Sequence, residues 1–97
     1  MTKYLLENMT AAEALKERRF VIVPVGAIHK HGDGPLGTDM YSCTELSRRV
    51  GEAIPDKVIV VPTLPYGVSG GSILPGGIDS SFEPVRQIIK EISPYPS

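Results

Sequence analysis

The chain has 97 residues, ten basic against eleven acidic, for a net charge of −1. That length allows one domain, and the charge balance excludes nucleic-acid binding built on bulk positive charge. The longest apolar runs, Phe20 to Val25 and Val58 to Pro62, fall far short of the roughly 20 residues that span a bilayer. Glu7 and Asn8 interrupt the stretch where a signal peptide needs roughly 7 to 15 apolar residues. The expectation is therefore no membrane segment and a cytoplasmic location. Cys43, the single cysteine, excludes an internal disulfide and any multi-cysteine metal site, and reads as a packing residue.

In chain order, Thr10-Ala-Ala-Glu13 reads as a capping box opening a short helix through Arg19. Phe20-Val-Ile-Val-Pro-Val25 is a β-branched run ending at Gly26, the pattern of a strand buried on both faces. Met40, Cys43, Leu46, Val50 and Ile54 recur at helical spacing, with Asp39 capping or preceding the first turn and Pro55 ending the helix. Lys57-Val-Ile-Val-Val-Pro62 repeats the buried-strand signature. Ser80-Ser-Phe-Glu83 reads as a second capping box, before an apolar face of Phe82, Val85, Ile88, Ile89 and Ile92 on a helix over 81–93.

This order of elements implies parallel strands joined by right-handed crossovers, as in three-layer α/β folds. Two strands do not make the covered parallel sheet that such runs require. The expectation is a single partial domain over 1–97, the first portion of a larger one.

Ligands of an open parallel sheet bind beyond the carboxyl ends of its strands, where two Gly-rich segments, 26–37 and 62–77, share one rim. The first holds His29, His31, Asp33 and Asp39, the densest cluster of metal-capable groups. In an extended segment His29 and His31 point to the same side, about 7 Å apart, and Asp39 returns by the turn at Gly32 to Gly37. A nitrogen and oxygen donor set of this kind suits zinc or manganese and metal-assisted hydrolysis. The same residues also fit a plain loop with solvated histidines. Ser69 and Ser72 lack a G-x-S-x-G elbow, and the glycines lack phosphate-loop spacing. Tyr66 reads equally as the wall of a substrate pocket or as a half-buried turn aromatic.

Val23-Pro-Val-Gly-Ala-Ile-His-Lys-His-Gly-Asp-Gly-Pro-Leu-Gly-Thr-Asp39 resembles the N-terminal signature of the creatininase family, P-V-G-[SA]-x-E-x-H-G-x-H-x-P-L-G-T-D. Pro62-Thr-Leu-Pro-Tyr-Gly-Val-Ser69, with Pro75-Gly76 further on, resembles its second element, P-x-x-Y-G-x-S-x-E-H-x-x-F-P-G-T. The resemblance runs from Phe20 to Asp79. It implies a three-layer α/β/α fold, truncated here, and a metal-dependent amidohydrolase that opens cyclic amides or cleaves related C–N bonds with two zinc or manganese ions. A small-molecule amide substrate and a homo-oligomer are the implied partners, with neither nucleic acid nor membrane.

The family's motif makes His31 a metal-binding histidine and Asp39 the bridging aspartate, with His29 in the place of the family's glutamate. Tyr66 and Ser69 become the candidate substrate contacts, and no residue is assigned as a catalytic acid or base. Gly34 stands where the family has a histidine, Gly71 and Ser72 stand at its Glu-His, and both loops are one residue short. The later N-x-H-G-G-N and E-x-H-A-G-x-x-E-T segments are absent. Two alternatives to the enzyme follow: a noncatalytic relative acting in binding or assembly, and a module that associates through an uncovered sheet edge along Val58 to Val61.

Overall fold

The computed structural model describes residues 2–30, 32–68, 76–78 and 80–96. A single turn of 3-10 helix at Leu6–Asn8 leads into α1 (Ala11–Leu15), β1 (Phe20–Ile22), α2 (Thr38–Ala53), β2 (Val58–Val60) and α3 (Phe82–Glu91). The strands pair in parallel, Phe20 with Val58, Val21 with Ile59 and Ile22 with Val60. Among the described residues this is a mixed α/β fold with a two-stranded parallel sheet.

The Thr10 capping box forms as expected. The threonine hydroxyl accepts from Glu13 N–H at 3.1 Å, and the Glu13 carboxylate accepts from Thr10 N–H at 2.9 Å. The helix it opens ends at Leu15 rather than at Arg19, because the backbone just beyond is used elsewhere. Arg19 N–H donates to the Tyr95 hydroxyl, which in turn donates to Glu17 C=O. At α3 the cap differs from expectation. Ser81, one residue after Ser80, is the N-cap, and its side chain makes no capping bond.

Only β2 is buried on both faces. Val58, Ile59 and Val60 are almost wholly inaccessible, whereas Phe20 at the start of β1 is 81% exposed. The reason is position. Beside Val60 runs the N-terminal segment, whose Leu5 forms a parallel bridge with it while Tyr4 C=O accepts from Val60 N–H at 2.7 Å. β2 thus lies between β1 and the N-terminal segment, and β1 is the outer strand. The edge of β2 along Val58 to Val61, expected from the sequence to be uncovered, is flanked at Val60 by the N-terminal segment.

β1 ends at Ile22 because Pro24 has no N–H to give a ladder. The two chains stay paired past it: Leu64 N–H donates to Pro24 C=O, and Gly26 N–H to Leu64 C=O, both at 2.8 Å. The partner offset has grown by one residue there, Val25 bridging Leu64, which marks a bulge on the β2 side.

The face that α2 turns inward also departs from the periodic reading. Its buried residues are Ser47 and Gly51, while Leu46 is 66% exposed and Ile54 is exposed. Small residues win the inner face because the helix lies close to the valines of β2 and to the Tyr4 ring, which occupies the space a Gly51 side chain would take. The Thr44 hydroxyl ties α2 to the chain leaving β2 through Thr63, 2.6 Å away. Arg19 is a further staple, donating through one guanidinium nitrogen to the carbonyls of Lys3, Pro55 and Val58.

Candidate metal centre

Because β1 and β2 are parallel, their carboxyl ends open on one side, and the loops that follow converge there. Gly67 N–H donates to Gly26 C=O at 2.9 Å. The Gly26 oxygen fills the place a Gly67 side chain would need, so the approach requires glycine at 67. Between these loops and the first turns of α2 lies a cleft of about 500 Å³. Its walls are Val25, Gly26 and Ala27 from one loop, Gly67 and Val68 from the other, and Asp39, Ser42, Cys43 and Leu46 from the helix.

The chain after Ala27 leaves the rim and comes back. His29 N–H donates to Leu36 C=O at 3.0 Å, and Ile28 C=O accepts from Ile78 N–H at 2.7 Å. The Thr38 hydroxyl donates to Pro35 C=O at 2.7 Å, fixing the entry to α2 with Gly37 as N-cap. Asp39 thereby falls in the first helical turn, where the exposed N–H groups and the helix dipole favour a carboxylate.

The result is a meeting of His29 and Asp39: Nε2 lies 2.8 Å from Oδ2, and both side chains are partly open to solvent. The pair supplies one imidazole nitrogen and one carboxylate oxygen. Two donors at about 2.0 to 2.2 Å from a tetrahedral zinc are roughly 3.4 Å apart, so to admit an ion this pair has to part by about 0.6 Å and give up its hydrogen bond. In donor type these two residues suit a divalent metal. Among the described residues, no group of three or more His, Cys, Asp or Glu side chains is brought together. His31, the next expected ligand, lies outside the described residues, as does Ser69.

Tyr66 sits at the rim, 48% exposed, while its neighbours Gly67 and Val68 make the cleft wall. The periodic stripe on α2 turns out to have two uses. Asp39, Ser42, Cys43 and Leu46 follow one another at helical spacing down the wall of the cleft, and Ser47 and Gly51 face the sheet. Cys43 is half-buried, its thiol donating to Met40 C=O at 3.4 Å. Loss of solvent pushes the thiol above its ordinary range, so it remains protonated at neutral pH and presents a weakly polar surface. Ser42 and Leu46 escaped the sequence reading as cleft residues. The signal that points to them is their spacing of three and seven from Asp39 on one helix.

The chain belongs to the creatininase family, described as creatinine amidohydrolase, which it matches over residues 5–94. That family is of amidohydrolase type and generally metal-dependent. No curated protein and no solved structure gave a significant match. None of the described helices is long and apolar enough to cross a membrane.

Proposed function

We propose that this chain is a partial three-layer α/β/α creatininase-like domain, cytoplasmic and homo-oligomeric, that hydrolyses cyclic amides or related C–N bonds. The observation that carries the reading is the approach of His29 Nε2 to Asp39 Oδ2, 2.8 Å apart beside the rim where both strands end. His29, His31 and Asp39 would hold zinc or manganese. When bound, such an ion lowers the pKa of a coordinated water toward neutrality and polarises an amide carbonyl.

The chain's own residues supply position and surroundings. Asp39 is fixed by the first turn of α2, and His29 by its backbone bond to Leu36, so the two donors do not have to be ordered on binding. Val25, Leu46 and Val68 give the cleft an apolar wall against which a small ring can lose water, and Ser42 offers a hydroxyl to a polar edge. Tyr66 and Ser69 are the proposed substrate contacts at the rim.

Elemental analysis of the purified protein, with zinc and manganese titrations of wild type, His29→Ala, His31→Ala and Asp39→Ala, tests the metal. The expected result is stoichiometric metal in the wild type and at least about tenfold weaker binding in each variant. Hydrolysis of creatinine and other cyclic amides by the loaded protein, lost in Asp39→Ala, tests the activity. Absence of metal binding in the wild type would favour the second reading, a noncatalytic relative. That reading is supported by Gly71 and Ser72 at the family's Glu-His positions.

A further inference from the structure

The outer edge of β1 already has an occupant from within the chain. Phe20 N–H donates to Lys57 C=O at 2.9 Å and Ile22 C=O accepts from Val61 N–H at 3.1 Å, so Phe20 and Ile22 turn their backbone groups toward β2. By alternation Arg19 and Val21 turn theirs away from it. On that side Arg19 N–H donates to Tyr95 Oη at 2.8 Å, and the same hydroxyl donates to Glu17 C=O at 3.1 Å. The Arg18 guanidinium lies over the Tyr95 ring, 5.2 Å from its centre. The ring is held from its own side too, since Tyr95 N–H donates to Ser93 Oγ at 3.2 Å. Pro94 and Pro96 flank it and have no N–H. The segment thus grips the edge through one hydroxyl and is poorly suited to extend the sheet itself.

We propose that Tyr95 is a latch closing the outer edge of β1 to strand addition, and that the occupant it excludes is the same edge of a second copy of this chain. The strand is suited to pairing with itself. Antiparallel pairing about Val21 sets Phe20 across from Ile22 and Arg18 across from Pro24, so apolar side chains meet and like charges do not. Phe20, the most exposed of the large apolar residues described, lies at the start of this edge and gains cover from such a contact.

Tyr95→Phe tests the latch, because it keeps the ring and its arginine while removing both hydroxyl hydrogen bonds. Amide hydrogen exchange at Arg19 is expected to quicken by about tenfold, the value of one to two ordinary hydrogen bonds. Sedimentation equilibrium is expected to show a mass that rises with concentration to twice that of the wild type. Adding Phe20→Lys is expected to restore the wild-type mass, since a lysine on an edge strand opposes pairing. Should Tyr95→Phe fail to fold, Pro94→Gly loosens the segment with the hydroxyl intact, and the mass is expected to shift the same way. A variant that folds, opens the Arg19 amide and keeps the wild-type mass overturns the proposal. So does a doubled mass that Phe20→Lys leaves in place.

Discussion

At Gly51 two opposing effects can be weighed. Alanine would add up to about 1 kcal/mol of helix propensity, yet its methyl would enter the space held by the Tyr4 ring. Tyr4 is not free to swing away without loss: its hydroxyl donates to Glu52 at 3.2 Å, and its carbonyl holds Val60. Overpacking typically costs about 1 to 3 kcal/mol, so Gly51→Ala is expected to lower the unfolding midpoint in urea. An unchanged or raised midpoint would show that the ring moves aside. Side-chain identity at such a position is opaque in the sequence, where Gly51 looks like a flaw in a helix. The residue that makes it necessary is 47 positions earlier in the chain.

Among the elements, α1 is the one whose start the sequence states outright, because a capping box is local. Thr10→Ala is expected to cost about 1 kcal/mol, read as a lower unfolding free energy. Its partner Glu13 adds a pH dependence. The Thr10 N–H first, and Lys3 after it, hold the Glu13 carboxyl below its ordinary value of 4.5. A carboxylate with a depressed folded pKa contributes stability that is present above the unfolded pKa and lost as the pH falls through the folded one. The Thr10 and Glu13 amide resonances should therefore move together below pH 4.5 in wild type, and Glu13→Gln should abolish that movement. Strand β2 was equally legible, since an unbroken β-branched run has little choice but burial. Strand β1 carries the same pattern and is exposed at Phe20, because periodicity reports composition and not neighbours. The helix α2 repeats that lesson: Cys43 and Leu46 are apolar at core spacing, yet they wall a cleft whose other side comes from the Gly67 loop.

For the whole molecule, the chain is long and thin, 44 × 27 × 17 Å, with a Cα radius of gyration of 15.0 Å against about 13 Å for a compact domain of this length. Its described apolar core is Ala14, Val58, Ile59, Val60, Val61 and Val85, while Leu46, Phe82 and Tyr41 are mostly exposed. Such a core leaves little reserve, since small domains have only about 5 to 15 kcal/mol in all. Ile59, with no exposed surface, sits at its centre. Ile59→Ala is expected to remove about 2 to 5 kcal/mol, a large part of that total, and urea unfolding should show a clearly lower midpoint. The rim of the sheet was foreseeable from two Gly-rich segments following two parallel strands. The meeting of His29 with Asp39 depends on how a loop returns, which its composition alone does not determine.

The place of the N-terminal segment beside β2 also sets an order of events at the ribosome. Thr2 bonds to Asp56, 54 residues away, and Tyr4 to Glu52, 48 away. At roughly 5 to 20 residues per second, Thr2 and Tyr4 wait about 2 to 11 seconds for their partners in and after α2 to be made. During that interval β1 is present without the backbone partners that β2 gives to Phe20 and Ile22.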